Sequence, residues 1–175
     1  MKKNDSGNPH TPEILIREAV TADAGSLSSL NDDVQRMHAR AHPHLFKSPG
    51  DDAFAVEYLR KALADESTAV YIASIQGEDI GYVNARIVDQ PQNPFMKATK
   101  CIYIGQISVR PGHRRKGVAT KLIEAVKSLA ASEKIDTITL DTWAFNEDAR
   151  RFFESQGFSP CLTRMWKRRD ASHEE

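Results

Sequence analysis

Residues 109–120, with the sequence VRPGHRRKGVAT, constrain the fold of this chain more than any other stretch. A β-rich run ends at Val109, a basic loop follows, and an apolar stripe of helical period begins at Val118. The sequence therefore predicts a strand that leads through a loop into a helix. The first amides of a helix lack intrahelical partners and lie at the positive end of its dipole, so they bind phosphate readily. Gly117 has no Cβ to obstruct that approach.

The basic loop does not match the common phosphate-binding motifs. Arg114, Arg115 and Lys116 place positive charge next to Gly117. The spacing of Gly112 and Gly117 mimics a P-loop, but Val-Ala follows where a P-loop has Lys-Ser/Thr, and no G-x-G-x-x-G motif occurs. We predict a cradle that holds a pyrophosphate without a metal. The alternative interpretation is a solvated basic turn.

Hydrophobic periodicity predicts the element order β-α-α-β-β-β-α-β-α-β. The predicted strands cover residues 14–20, two runs around a turn at 76–79, and residues 99–109, 136–145 and 161–168. The first helix is predicted to start at Thr21 as N-cap, the second to cover residues 51–65, and the third to follow Gly117. The last helix has Asn146 as its N-cap and Gly157 at its end. This order predicts an α/β (α+β) fold, a mixed sheet with helices on both faces.

Composition excludes several classes of protein. The 24 basic and 24 acidic residues cancel, which argues against a dedicated nucleic-acid binder. Cys101 and Cys161 cannot form a disulfide framework, and no apolar run is long enough for a signal peptide or a membrane span. We expect a cytoplasmic protein with no membrane partner. Residues 1–13 are interpreted as a flexible leader, 14–168 as a single domain, and 169–175 as a flexible tail.

Two segments resemble consecutive motifs of one superfamily. QISVRPGHRRKGVATKLIEAV resembles the signature of the GNAT superfamily of acyl-CoA-dependent N-acyltransferases, whose pattern Gln/Arg-x-x-Gly-x-Gly/Ala is met by Arg114, Gly117 and Ala119. LDTWAFNEDARRFFESQGF resembles the next motif, a strand, an Asn and a helix ending in Gly-Phe. The resemblance covers residues 14–166. It implies a three-layer fold with a mostly antiparallel sheet of six to seven strands, and acetyl-CoA as the donor.

The resemblance also implies which residues bind the cofactor. Main-chain groups of Ile107 and Val109, with Ser108 between them, would pair with pantetheine as an added strand would. The amides from Arg115 to Thr120, with Arg114 nearby, would hold the pyrophosphate. The predicted cofactor residues are Ile107, Ser108, Val109, Arg114, Arg115, Lys116, Gly117, Val118, Ala119, Thr120, Asn146, Ala149 and Phe153.

The expected acid and base are replaced in this sequence. Acyl transfer to an amine needs a route for the amine's proton, a donor to the oxyanion, for which we expect the Val109 amide, and stabilisation of the leaving thiolate. Many relatives protonate the thiolate with a Tyr where this chain has Phe153, and many carry a Glu where it has Gln106. Gln106 can still orient a substrate or water. Either other residues supply the acid and base, with Tyr103, Tyr82 and Ser108 as candidates, or the pantetheine thiolate leaves unaided. Gln106 and Tyr103 are our catalytic predictions.

The candidate acceptor-site residues are two histidines and a tryptophan, and no sequence motif identifies them. His38 and His42 lie on the first helix, which frames the acceptor in this superfamily, and Trp143 ends a strand that points towards the cleft. Surface histidines and a core tryptophan are the alternatives. His38 and His42 are four residues apart, but no H-E-x-x-H motif occurs, so we predict no metal site.

The resulting prediction is an acetyl-CoA-dependent N-acetyltransferase that acts on a primary amine of a small molecule or of a protein. The alternative is a catalytically silent acyl-CoA sensor, since Gln106 and Phe153 replace the usual acid and base. A nucleic-acid module using residues 110–116 is a third hypothesis. The resemblance leaves a homodimer open, because dimers are common in this superfamily.

Overall fold

The computed structural model describes residues 12–50 and 53–167. The chain divides into two compact units, one ending at Asp141 and one beginning at Thr142. The first unit contains β1 (Leu15–Glu18), α1 (Ala24–Ala41), α2 (Ala53–Leu63), β2 (Thr68–Ile75), β3 (Glu78–Gln90), β4 (Thr99–Val109), α3 (Val118–Ser132) and β5 (Ile138–Leu140). The second unit contains α4 (Glu147–Ser155). The predicted tail and most of the predicted leader lie outside the described residues.

The sheet has the order β1-β2-β3-β4-β5. The first four strands pair antiparallel with their neighbours, whereas β5 runs parallel to β4. The prediction of a mixed, mostly antiparallel sheet is therefore confirmed. The antiparallel strands β2 and β3 are joined by a tight turn, in which Gln76 and Gly77 have φ of 51° and 84°.

The expected count of six to seven strands is wrong, because the sheet formed by residues 12–50 and 53–167 has five. The predicted strand at 136–145 is reduced to three residues, since the chain turns after it and the amide of Asn146 bonds to the carbonyl of Trp143. The predicted strand at 161–168 forms no strand in its described part, 161–167. Its apolar residues Leu162 and Met165 are 78% and 87% exposed, so the segment buries no face against a neighbour.

Helices α1 and α2 pack on one face of this sheet. Leu27 and Leu30 of α1 and Leu59 of α2 form a buried cluster with Ile72 and Tyr82 of the central strands. The apolar side chains recur at helical spacing along α1 and at every second residue along β2, which places both sets on the facing surfaces. This cluster fixes α1 against the middle of the sheet.

Helix α3 packs on the opposite face. Val118, Leu122, Ile123 and Val126 are fully buried, and α3 contacts each of the strands β1 to β4. Val83 follows Tyr82 in β3 and points away from it, towards the α3 side. The predicted arrangement of helices on both faces of the sheet is confirmed in the first unit.

The start of α1 differs from the prediction. Thr21 was expected to be the N-cap, but residues Thr21–Asp23 form a 3₁₀ turn and α1 begins at Ala24. The carboxylate of Asp23 causes the shift, because it accepts the amide of Val20 at 2.8 Å and binds Arg17 at 2.7 Å. The extra turn satisfies amides that the N-cap hydroxyl was expected to satisfy.

Among the described residues, no helix combines the length and the apolar character needed to cross a bilayer. Within the same ranges, no group of three or more His, Cys, Asp or Glu side chains is placed to hold a metal ion.

Candidate functional site

The loop between β4 and α3 has the local geometry that a phosphate cradle requires. Arg115 and Gly117 adopt left-handed backbone conformations with φ of 58° and 83°, and Gly117 directly precedes the first residue of α3. The first intrahelical bond runs from the amide of Lys121 to the carbonyl of Gly117. The amides of Val118, Ala119 and Thr120 precede that bond and have no partner within the helix. A Cβ added at Gly117 would meet nothing within 4 Å, so the space in front of the loop is open.

The basic side chains of the loop leave positive charge at its surface. The Nε of Arg114 donates to the carbonyl of Val109 at 3.0 Å, which holds its guanidinium next to the end of β4. Arg115 and Lys116 are exposed, and neither forms an ion pair with an acidic residue among residues 12–50 and 53–167. Three cations therefore precede the open helix terminus in the loop. The residues fit a pyrophosphate, because the helix amides and these charges all favour an anion.

One edge of β4 is left without a partner strand near this loop. β5 pairs with β4 only at Ile102–Ile104, and β5 ends at Leu140. The amide of Arg110 bonds to the carbonyl of Ile80 in β3. Because antiparallel pairing alternates, the main-chain groups of Val109 and Ile107 point away from β3, towards the unpaired edge. Among the described strands, β5 is the neighbour on this side of β4, and its pairing does not reach Ile107 or Val109. An extended polar chain could pair there as an added strand.

Gln106 lies at a polar junction between the sheet and α1. The hydroxyl of Tyr82 lies 2.9 Å from Oε1 of Gln106 and 3.1 Å from Oδ1 of Asn31. A single hydroxyl proton can be donated to only one of these oxygens, so the other amide must turn its NH₂ towards the hydroxyl to complete the network. Next to it, the buried hydroxyl of Ser108 donates to the carbonyl of Leu30 at 2.7 Å. These bonds tie β4 to α1.

Tyr82 remains neutral in this environment. Burial raises the pKa of Tyr82 well above its usual range, because the phenolate would lose solvation. Tyr82 can therefore orient Gln106 or pass on a hydrogen bond, but it cannot serve as a base near neutral pH.

A cleft of about 330 Å³ opens beside Gln106. We call it the α1–α2 cleft. It is lined by Ser28, Asn31, Asp32 and Gln35 of α1, by residues 45–50 of the following connection, by Ala55, Tyr58 and Leu59 of α2, and by Gln106 of β4. The Nε2 of Gln35 donates to the carbonyl of Lys47 at 2.6 Å, which fixes the connection against α1. The cleft joins polar groups on one wall to aromatic and aliphatic groups on the other, as in sites for small molecules.

The predicted acceptor residues His38 and His42 are not in the described lining of this cleft. The ring of His38 stacks on Phe46, a lining residue, at 4.9 Å between centroids, and His42 lies edge-on to His44 at 5.8 Å. Burial lowers the pKa of His38 below its usual value. The structure therefore places His38 behind the wall, where it supports Phe46. An acceptor role for either histidine remains a prediction.

The second predicted catalytic residue, Tyr103, lies further along β4. Its hydroxyl donates to the carboxylate of Asp141 at 3.1 Å, and the guanidinium of Arg86 lies 5.2 Å from its ring centroid. Gly105 separates Tyr103 from Gln106 at an irregularity in the pairing of β3 and β4, so both side chains lie on the α1 face of the sheet. Cys101, on the same face, lies 3.7 Å from the hydroxyl oxygen of Thr139.

The remaining predicted residues belong to the second unit. Asn146 caps α4, as predicted, and its Oδ1 accepts the amide of Ala149 at 3.2 Å. Phe153 is buried against Phe152 and Phe158, with ring centroids 5.4 and 5.7 Å away. Gly157 follows with φ of 91°. The cofactor roles predicted for Asn146, Ala149 and Phe153 remain predictions.

Trp143, predicted at the acceptor site, belongs to an aromatic group in this unit. Its ring lies 6.4 Å from that of Phe145 and 6.1 Å from that of Trp166. Trp143 is 37% exposed, so it is not a fully buried core residue. Its acceptor role remains a prediction.

Sequence analysis missed the polar stripe of α1. Ser28, Asn31, Asp32 and Gln35 follow the spacing i, i+3, i+4, i+7 of one helical face and line the cleft together. The helical spacing of these polar residues is visible in the sequence beside the apolar stripe of Leu27 and Leu30. The sequence alone does not show that the polar face of α1 opens onto Gln106, so the polar stripe could not be assigned to a site.

Comparisons with known proteins agree with this geometry. A model described as "Acetyltransferase (GNAT) family" matches residues 31–158. Among curated proteins, an uncharacterised N-acetyltransferase, YhfO, of Bacillus subtilis is 25% identical over 82% of this chain and 88% of its own length. An aminoglycoside N(6')-acetyltransferase type 1 of Klebsiella pneumoniae is 29% identical over 58% of this chain. The chain spans 53% of that enzyme's length.

Solved structures share the fold. The tetramutant of the BH1408 protein of Bacillus halodurans superposes with a TM-score of 0.82 at 27% identity, over 88% of this chain and 99% of the other. Aminoglycoside N-acetyltransferase AAC(6')-Iy, solved in complex with CoA, has a TM-score of 0.73 at 21% identity, over 94% of this chain and 99% of the other. Because AAC(6')-Iy is only 21% identical to this chain, its similarity shows a shared fold and nothing more.

Proposed function

Because this chain belongs to the GNAT family of acetyltransferases, we propose that it acetylates an amino group of a small molecule held in the α1–α2 cleft. Membership makes it an N-acetyltransferase with acetyl-CoA as co-substrate. The observation that carries the proposal is the unpaired edge of β4, which runs from Gln106 at the cleft to Val109, where the loop to Gly117 begins. A single extended cofactor can occupy this edge with its anionic end in the cradle and its thioester end near the cleft.

Main-chain groups would hold the cofactor. The amides of residues 118–120 and the cations of Arg114, Arg115 and Lys116 favour its pyrophosphate, and the groups of Ile107 and Val109 match the amides of pantetheine. Bound there, acetyl-CoA supplies the activated acyl group. Of the two amides that point to the unpaired edge, that of Ile107 adjoins Gln106, so it is better placed than the Val109 amide expected from the sequence to donate to the oxygen that gains charge during transfer.

Side chains on the α1 face of β4 would handle the amine. Gln106 can accept a hydrogen bond from the attacking amine or hold a water that takes its proton, and Tyr82 keeps its carboxamide in place. Tyr103 is our second catalytic candidate, since its hydroxyl has a carboxylate partner in Asp141 that can pass a proton to solvent. Gln106 has no basic group of its own. Positioning therefore supplies much of the rate in this proposal.

The size of the cleft favours a small acceptor over a protein. A cleft of about 330 Å³ suits a molecule of modest size, and one of the relatives is an aminoglycoside acetyltransferase. A lysine of an unfolded segment is the alternative acceptor. Comparing free amines with amine-containing peptides in the same assay separates the two.

The proposal is tested first by titrating acetyl-CoA into the protein by calorimetry, and then by following CoA release with a panel of amines. We expect micromolar binding and acceptor-dependent release. Binding without release by any amine would contradict the acetyltransferase mechanism at this site. If the wild type binds acetyl-CoA and Gly117→Glu does not, the placement of the cofactor is supported.

A further inference from the structure

The α1–α2 cleft contains an ionisable group that the proposed function leaves without a role. Asp32 is partly buried in the wall of the cleft, one residue after Asn31, which contacts Tyr82. Gln106 lines the same cleft. A carboxylate and the proposed amine-handling residue therefore open onto one space.

Two other carboxylates, before and on α1, have basic partners, whereas Asp32 has none among the described residues. Asp23 binds Arg17 at 2.7 Å, and Asp33, the next residue along α1, lies 3.7 Å from Arg36. In the part of the chain that the structure describes, Asp32 forms neither an ion pair nor a side-chain hydrogen bond. A carboxylate in a cleft wall that has no basic partner can accept charge-assisted hydrogen bonds from a cationic ligand. Asp32 is therefore matched to a ligand with a positive charge.

Aromatic side chains in the same lining favour the same kind of ligand. Phe46 and Tyr58 line the cleft, and Tyr58 is 63% exposed although its ring is large and apolar. The faces of such rings attract cations such as ammonium groups. Lys47 also lines the cleft, but its side chain is exposed, so solvent and salt screen its charge more than that of Asp32.

Resting on the proposed function, we propose that Asp32 binds a second, protonated amino group of the acceptor. The acceptor class is then diamines or polyamines rather than monoamines. One amino group reaches Gln106 and is acetylated, while a second remains an ammonium beside Asp32, between the aromatic side chains. Asp32 determines specificity in this proposal and takes no part in the chemical step.

The experiment compares α,ω-diamines of three to eight carbons with alkylamines of the same length, using wild type and Asp32→Asn. A hydrogen-bonded contact to a charged group contributes enough to change kcat/KM by roughly 10- to 100-fold. For wild type we expect kcat/KM to be at least about 10-fold higher for the best diamine than for the monoamine of the same length. In Asp32→Asn the preference should disappear through a higher KM, with kcat nearly unchanged. Titration of the same diamine into the CoA-bound protein should show the same loss of affinity.

Asp33→Asn is the matched control, because Asp33 has the same chemistry and lies next to Asp32 but outside the lining. It should keep the preference for diamines. Equal rates for diamines and monoamines in wild type, or a preference that survives in Asp32→Asn, would overturn the role of Asp32 and leave the proposed function standing. If no amine is acetylated, the proposed function fails. The diamine titration then decides the role of Asp32, and affinity equal in wild type and Asp32→Asn refutes it.

Discussion

The hydroxyl of Tyr82 lies 2.9 Å from Oε1 of Gln106, and this contact joins the buried centre of β3 to the wall of the α1–α2 cleft. The phenol is buried and stays protonated, so its partner carboxamide is held by a neutral group whose state does not change near neutral pH. At the position where the resemblance implies a glutamate in many relatives, this chain has an oriented amide. Such a group can place an amine but cannot remove its proton.

Tyr82→Phe tests this contact. The variant keeps the ring in the core but releases the carboxamides of Gln106 and Asn31, so we expect turnover to fall about tenfold and stability by about 1 kcal/mol. Acetyl-CoA affinity should not change. Tyr71→Phe is the control, because Tyr71 lies on the α3 side of the sheet. A fall in cofactor affinity equal to the fall in turnover would contradict a positioning role.

Gly117→Glu tests the cradle. We expect the carboxylate to repel the pyrophosphate and to lower acetyl-CoA affinity at least about 100-fold, which corresponds to roughly 2.7 kcal/mol. Gly117→Gln carries the same backbone strain at φ of 83° and nearly the same volume without the charge. The glutamate variant should bind far more weakly than the glutamine variant in calorimetry. Equal affinities in the two variants would show that charge at this loop does not matter.

Phe153→Tyr tests whether protonation of the leaving thiolate limits turnover. The resemblance places a proton donor at this position in many relatives, so we expect the variant to keep cofactor affinity and to raise kcat. Phe152→Tyr, on the neighbouring residue, is the control. A lower kcat with a lower melting temperature would show instead that the buried ring of Phe153 serves to pack against Phe158.

Gly81→Ala tests the close approach of β3 and β4 behind the site. An added Cβ would lie 2.7 Å from the carbonyl oxygen of Ser108, so β4 must shift, and we expect a loss of stability of roughly 1–3 kcal/mol. Gly25→Ala is the control, because a Cβ there meets nothing within 4 Å and alanine favours the helix. Chemical denaturation should show opposite signs for the two variants. An unchanged midpoint for Gly81→Ala would contradict the rigidity of this strand pair.

Asp23→Asn tests the turn before α1. The hydrogen bond from Arg17 lowers the pKa of Asp23 below its usual value of 3.8, so the folded state prefers the carboxylate. Its stabilisation is present at neutral pH and is lost as the pH falls through the lowered pKa. Because Arg17 is partly exposed, we expect the variant to lose about 1 kcal/mol at pH 7.

Thermal unfolding of wild type and Asp23→Asn should converge as the pH is lowered to about 2 or below, beneath the ordinary aspartate pKa. Asp148→Asn, which removes an exposed pair with Arg151, should leave the melting temperature unchanged at both pH values. A difference for Asp23→Asn that persists in acid would assign its effect to something other than the charge.

Predictions from the sequence succeeded where the determining interactions are local. The strand, loop and helix predicted around residues 109–118 are present, with a left-handed Gly117 directly before α3. The role of this loop as a phosphate cradle stays a prediction. Asn146 was predicted as a cap because its partner, the amide of Ala149, is three residues away. The last predicted strand failed because a β-pattern specifies a strand only where a neighbour pairs with it, and residues 161–167 have no such neighbour in the described chain.

The sequence by itself determined the family, the cofactor class and the strand-loop-helix junction at Gly117, because the motif residues and the conformation of that loop depend on adjacent residues. Only the tertiary structure decided which residues line the α1–α2 cleft. Asn31, Tyr82 and Gln106 meet across 51 and 24 positions of sequence, and Asp32 shares a cleft with Gln106 only because α1 packs across β3 and β4. Such contacts arise because Leu27 and Leu30 of α1 are buried against the sheet. The local sequence pattern shows that this face of α1 is apolar, but it does not show which strand residues the helix contacts.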